Sequence, residues 1–234
     1  MRTGTLYGVG LGPGDPELIT LKAARLIAAA GVVAYPALAG GASFARSIAA
    51  DLIGPAAQEI VMEVPMALER APAQAVYDAG AARIAGHLQQ GRDVVCLCEG
   101  DPLFYGSFMY LFARLSGRFA LEVVPGVTSV SACAARAGVA LVARNDRFAV
   151  LPGPLPEEEL SAGIARAESV AIMKVGRHLG KIRRVIAALG LEHRAVYVER
   201  AGLAEEVIVP LAEAPEVAPY FSMILVTKGT DPWL

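Results

Sequence analysis

Cysteine is scarce in this chain. Cys96, Cys98 and Cys133 are the only three among 234 residues. So sparse and odd a set excludes a disulfide framework and fits a reducing compartment, so a cytoplasmic protein is expected. The C-x-C within VVCLC has no Cys or His partner at ligand spacing. It reads as buried strand thiols, and no metal is expected. Histidine is limited to His87, His178 and His193. No Ser–His–Asp or paired-carboxylate arrangement stands out, so no catalytic base is assigned.

An excess of either charge is also missing. There are 21 basic and 23 acidic residues, a net charge of −2. No overall positive field exists to hold a phosphate backbone, so no nucleic-acid partner is expected. Unbroken apolar runs of spanning length are absent too. The stretch from Leu26 to Ala45 is uncharged and follows Lys22 and Arg25, which mimics a leader or a membrane span. Ala and Gly dominate it, however, and Pro36 and Gly40-Gly41 interrupt it. It reads as a helix end, a buried strand and a loop, so neither a targeting segment nor a membrane partner is expected.

What is present is 55% hydrophobic residues, with Gly 24 and Pro 15 punctuating them. Apolar runs and helical periods alternate, as in an α/β protein. Strands are predicted at 5–10, 32–35, 59–62, 93–98 and 121–124, with helices at 17–30, 43–53, 71–90, 108–115 and 128–137. Asp15 is placed as the N-cap of the first helix, with Pro16 at its first position and Leu18, Leu21 and Ile27 on its apolar face. These segments make one domain, residues 1–140, with a mainly parallel sheet. Residues 141–234 form a second α/β domain, with strands at 148–151, 170–174, 195–199, 205–209 and 221–227 and helices at 157–167 and 178–189. Several of its strands follow one another without a helix, so its sheet is expected to be mixed.

The segment YGVGLGPGDPELIT, residues 7–20, joins a strand to a helix through a Gly-rich turn. Such turns let a ligand approach bare backbone and helix N–H groups. The dinucleotide fingerprint G-x-G-x-x-G nevertheless fails, because its last position is Pro13 from Gly8 and Asp15 from Gly10. No G-K-[ST] follows, so the P-loop fails as well. The turn therefore reads either as a tight connection or as a ligand loop of another kind.

Five further segments appear in order: CEGDPLFYG (98–106), VVPGVTSVSACAA (123–135), AIMKVGR (171–177), YVERAG (197–202) and SMILV (222–226). Together with the first loop, this series resembles the tetrapyrrole methylase family, class III of the S-adenosyl-L-methionine-dependent methylases. The resemblance spans nearly the whole chain. It implies two α/β domains with the methyl donor in the cleft between them, a homodimer and no metal. It also implies residue roles. Pro13 matches the first-loop proline near the donor, and Glu99, Gly100 and Asp101 match residues that reach its methionine part. Phe104 matches a position packed near the cofactor, and Thr128 and Ser129 match the pair at the helix start after Pro-Gly. Met173 matches a residue lining the adenine pocket. Ala201 falls where relatives often carry Gly, and Glu99 also stands where many have Gly.

FYGSFMYLFARL, YFSMILV and the opening loop most resemble the branch that methylates the corrin precursor precorrin-2 at carbon 20. The metal-free and cobalt-bound substrates both remain open, as does another carbon of a corrin precursor. Arg144, Arg147, Lys174 and Arg177, with His178, flank predicted loops and are candidate cations for the substrate's carboxylates. The implied transfer needs mainly alignment and charge stabilisation. A nicotinamide- or flavin-dependent oxidoreductase and a noncatalytic ligand-binding protein are the readings from other classes.

Overall fold

The computed structural model describes residues 2–65 and 70–229. By its contacts the chain divides into two units, Met1–Thr128 and Ser129–Leu234.

The first unit is built on five short apolar runs that pair as parallel strands. They are β1 (Thr5–Gly10), β2 (Val32–Leu38), β3 (Gln58–Val64), β4 (Val94–Cys98) and β5 (Ala120–Val124). Their order in the sheet is β3-β2-β4-β1-β5, and every pairing is parallel. All five residues of β4 are buried, as a strand covered on both faces requires. Side-chain alternation divides the core. Leu6, Ile60 and Cys96 face helices α3 (Arg70–Gln89) and α4 (Phe108–Leu115). Val9, Val33, Tyr35, Val95 and Leu97 face α1 (Leu21–Ala28) and α2 (Phe44–Ile48).

Two local departures from the sequence reading have clear causes. The single helix predicted at 17–30 is two elements. Asp15 does cap a turn at Pro16–Leu18, its carboxylate accepting from the Glu17 N–H. Ile19 is then extended, and the Thr20 hydroxyl caps α1 by accepting from the Ala23 N–H. A second good N-cap in the sequence thus restarts the helix and rotates its faces. Leu21, expected on the apolar face, is 91% exposed, while Ile27 is fully buried. The second departure is at Pro36. The strand predicted to stop at Tyr35 runs on to Leu38, because β2 meets β4 only at Val33 and Ala34 and afterwards pairs with β3 alone. Beyond the β4 ladder, a residue without an N–H costs no bond on that side.

The second unit opens with helix α5 (Ser129–Ala137), which the sequence reading had grouped with the first domain. Its Val130, Cys133 and Ala134 pack on Ala171, Val198, Met223 and Leu225 of the second sheet. That apolar contact is why the division falls before α5 rather than after 140. The sheet contains β6 (Phe148–Pro152), β7 (Ser169–Met173), β8 (Ala195–Glu199), β9 (Val207–Pro210) and β10 (Ser222–Thr227). Its order is β6-β7-β10-β8-β9. Only β6 and β7 pair in parallel, and the remaining pairs are antiparallel, so the sheet is mixed as expected. Helices α6 (Glu157–Arg166) and α7 (Leu179–Ala188) cover the face opposite α5, against Val170, Ile172, Tyr197 and Ile224. No helix among the described residues is long and apolar enough to cross a membrane.

Candidate functional site

In the first unit, adjacent strands β1 and β4 send the chain to opposite faces of the sheet. The segment after β1 leads to α1 on one face, and that after β4 leads to α4 on the other. A parallel sheet opens a crevice at the carboxyl ends of such a strand pair, and ligands bind there. Every first-unit residue picked out by sequence lies on the loops at this end.

Glycine backbones pin these loops together. Gly12 and Gly100 form an isolated bridge, with Gly100 N donating to Gly12 O at 2.7 Å and Gly12 N to Gly100 O at 3.2 Å. A Cβ on Gly10 would stand 2.5 Å from the Gly126 nitrogen and 2.7 Å from the Gly100 carbonyl oxygen. These close approaches exclude any side chain at Gly10 and Gly126. Gly100 differs: its φ of +62° favours glycine, yet a Cβ there would meet nothing within 4 Å. Its backbone therefore stands open to a ligand, and Pro13 is half-buried on the neighbouring loop.

Asp101 ties this arrangement. Its Oδ1 accepts from the N–H groups of Leu103 (2.9 Å) and Phe104 (3.1 Å), and its Oδ2 from Gly126 N (3.1 Å). The carboxylate thus closes its own turn and binds the β5–α5 connection. Oδ2, with one bond, keeps a further lone pair for a ligand donor. Phe104 is 36% exposed and packs edge-on against Tyr105, with ring centroids 5.3 Å apart. Glu99 keeps contact with solvent, yet the surrounding protein desolvates its carboxyl and raises its pKa, while the Ala45 backbone N–H pulls it back down. Thr128 directly precedes α5 and Ser129 is its first residue.

In the second unit, β7 and β8 both run antiparallel to β10, so their carboxyl ends share one edge of the sheet. Met173 ends β7, is half-buried, and its carbonyl accepts from Gly153 N at 2.7 Å. Lys174 follows at φ +55°, and Arg177 stands exposed just beyond. At the end of β8, Glu199 is buried and accepts from the Tyr197 hydroxyl and the Arg200 guanidinium, both at 2.8 Å. Arg200 takes φ +48° and Gly202 +78°, so the turn does not need a glycine at Ala201. The Ala201 methyl is instead buried against the α5 face.

Two of the four candidate cations lie elsewhere. Arg147 precedes β6 and forks onto Glu168, which precedes β7, through Nε–Oε2 at 3.1 Å and Nη2–Oε1 at 2.8 Å. The register Phe148↔Ser169 to Pro152↔Met173 puts this pair at the opposite end of the strands from Met173, roughly 16 Å away. Arg144, at φ +46°, lies on the same loop as Arg147. Both were chosen for flanking loops, and the strand direction separates them from Lys174 and Arg177. Arg147 holds Glu168 far below the usual carboxylate range, at about 2.

Sequence reasoning missed Gly10 and Gly126 as the pinch of the loops; the only signal was their glycine identity inside quoted motifs. Among the described residues no group of His, Cys, Asp and Glu could hold a metal ion. A concavity of about 270 Å³ lined by Tyr7, Leu26, Gly31, Arg92 and Asp93 lies at the amino end of the first sheet, away from these loops.

Comparison with known proteins follows the same lines. The profile of the tetrapyrrole (corrin/porphyrin) methylases matches residues 5–215. The chain is 45% identical to a precorrin-2 C(20)-methyltransferase of Sinorhizobium sp, covering 97% of each. It is 34% identical to a cobalt-precorrin-2 C(20)-methyltransferase of Salmonella typhimurium over 96% of this chain and 97% of that one. Among solved structures, it is similar to a cobalt precorrin-4 methyltransferase, with TM-score 0.74 and 27% identity over 95% of this chain and 94% of that one. It is also similar to uroporphyrin-III C-methyltransferase from Thermus thermophilus complexed with S-adenosyl homocysteine, with TM-score 0.70 and 28% identity over 96% and 98%.

Proposed function

This chain belongs to the tetrapyrrole (corrin/porphyrin) methylase family, and we propose that it methylates precorrin-2 at carbon 20 in cobalamin biosynthesis. The observation that carries this reading is the 45% identity, over 97% of both chains, to a protein of that name. Identity to the cobalt-substrate relative is 34% over a similar span, which favours the metal-free substrate.

S-adenosylmethionine, when bound, supplies a methyl group already activated on a sulfonium. The protein's task is then to hold, align and exclude water. The loops of the first unit fit such a donor: Gly100 offers open backbone, and the Asp101 carboxylate has spare acceptor capacity for an ammonium group. We assign Pro13, Glu99, Gly100, Asp101, Phe104, Thr128, Ser129, Met173 and Ala201 to the donor. Lys174 and Arg177 are the cations assigned to the substrate's carboxylates, whereas Arg147 is committed to Glu168. A homodimer working in the cytoplasm completes the proposal; exposed Met109, Tyr110 and Phe112 on α4 offer an apolar surface for such an association.

The test is anaerobic incubation with S-adenosylmethionine and precorrin-2, followed by product mass and NMR. One added methyl at carbon 20 is expected, with slower turnover of the cobalt-bound substrate. Donor binding without C20 methylation would move the substrate to another family member's. Absence of donor binding would remove the cofactor assignment itself.

A further inference from the structure

We propose that Glu206, held in place by Arg136, is a positioning residue for the methyl donor: it fixes the direction of the Ala201–Gly202 peptide. This role rests on the assignment of Ala201 to the donor. The chain turns sharply between β8 and β9. Leu203 N donates to Arg200 O at 2.9 Å, which closes a β-turn with Ala201 and Gly202 at its centre. Gly202 takes φ +78°, the left-handed value that a type II turn needs at its third residue. A type I turn joins the same ends but has its central peptide facing the other way. A group outside the turn is needed to choose between them.

Glu206 makes that choice. Its Oε2 accepts from Gly202 N at 2.6 Å. Arg136, in the last turn of α5, forks onto the same carboxylate, with Nη2–Oε1 at 2.5 Å and Nε–Oε2 at 2.8 Å. These bonds, the one to Arg136 most of all, hold the Glu206 carboxyl below the usual carboxylate range. An anion therefore faces the Gly202 N–H at neutral pH, and the bond is charge-assisted. The Glu206 side chain is only 14% exposed, so water competes little for that N–H. The entry to the turn is anchored separately. Arg200 N donates to Phe221 O at 2.9 Å, and the Arg200 guanidinium donates to buried Glu199 at 2.8 Å.

A trans peptide carries its carbonyl antiparallel to its N–H. With the Gly202 N–H turned to Glu206, the Ala201 carbonyl points away from that carboxylate. Ala201 is 8% exposed, and no N–H or side chain among the described residues donates to its carbonyl. A nearly buried carbonyl without a partner is costly. An N–H of S-adenosylmethionine would satisfy it, provided that the peptide keeps this direction.

The experiment uses the full chain and its Glu206→Ala, Glu206→Gln, Arg136→Ala and Arg136→Lys variants, with S-adenosylmethionine as the probe. Calorimetry reads donor affinity, exchange of the Gly202 amide proton reads its bond to Glu206, and turnover with precorrin-2 separates KM from kcat. Glu206→Ala should weaken donor binding about tenfold, as when the competent peptide direction falls to about a tenth of the population. Glu206→Gln keeps an oxygen for the N–H and should retain most of the affinity. Arg136→Lys should bind more tightly than Arg136→Ala. In each weakened variant KM for the donor should rise while kcat holds, and Gly202 amide exchange should quicken in step. Faster Gly202 exchange with unchanged donor affinity would overturn the role. So would weakened binding with an unaltered Gly202 amide, or a fall in kcat as large as the rise in KM. In the wild type, S-adenosylmethionine should shift the Ala201 and Gly202 resonances. Binding without that shift would overturn the assignment of Ala201 to the donor, and the role of Glu206 with it.

Discussion

Gly126 lies so close to Gly100 that a Cβ on Gly126 would stand 2.1 Å from the Gly100 carbonyl oxygen. Neither backbone can yield cheaply, because Gly100 is bonded to Gly12 on its other side. Gly126→Ala should therefore destabilise the chain by about 1–3 kcal/mol through overpacking. Denaturant unfolding measures this, and calorimetry should show weakened donor binding in the same variant.

Asp101 makes its own prediction, because its carboxylate both closes a turn and reaches Gly126. Asp101→Ala should retain the fold but lose about 1–3 kcal/mol of stability as backbone N–H groups lose their acceptor. Asp101→Asn keeps one acceptor oxygen and should fall between it and the wild type in thermal unfolding. Donor affinity should follow the same ranking.

The rotated face of α1 is testable by a pair of substitutions. Ile27 is fully buried and Leu21 is 91% exposed. Ile27→Ala should cost about 2–5 kcal/mol. Leu21→Gln should stay within about 0.5 kcal/mol of the wild type. Equal effects in denaturant melts would mean that the helix restarts elsewhere.

The Arg147–Glu168 pair predicts a pH dependence. Its hydrogen bond to Arg147 holds the Glu168 carboxyl at about 2 in the folded chain, well below the ordinary glutamate value of 4.5. A carboxylate with a lowered folded pKa stabilises the fold above the unfolded value and loses that contribution as pH falls through the folded one. The stability difference between the wild type and Glu168→Gln should thus be full at neutral pH, shrink below pH 4.5 and vanish near pH 2. Unfolding midpoints across that range measure it.

Strand direction separates the candidate cations, and kinetics can read the separation. Lys174→Gln should raise KM for the tetrapyrrole about tenfold, the loss of one charge-assisted contact. Arg147→Gln, at the opposite end of β6 and β7, should leave KM unchanged.

Much of this architecture was legible from the sequence. The runs at Thr5–Gly10, Phe108–Leu115 and Ala195–Glu199 form the predicted elements without adjustment, because apolar pattern and flanking turns agree there. The parallel first sheet and mixed second sheet also followed from the order of elements. The restart at Thr20 was less legible, since Asp15 and Thr20 are both competent caps and only packing decides between one helix and two. The allegiance of α5 depended on contacts with strands later in the chain. For the site, motifs located the loops, but the meeting of Gly10, Gly100 and Gly126 joins residues far apart in sequence, which no local pattern encodes. Arg144 and Arg147 show the same limit: a residue beside a loop is legible, but which end of the strand that loop caps is not.

The place of β1 bears on how the chain is made. Its two partners are β4 and β5, so Leu6 waits for Val94 on one side and for Leu121 on the other. During synthesis the first apolar strand to leave the ribosome has no neighbour until residues 94–98 have followed it, and lacks its second until residues 120–124. Pairing across such separations is slow, and unpaired strand edges invite association with other chains. A nascent chain arrested before residue 94 should depend on chaperones, and one released after residue 124 should not.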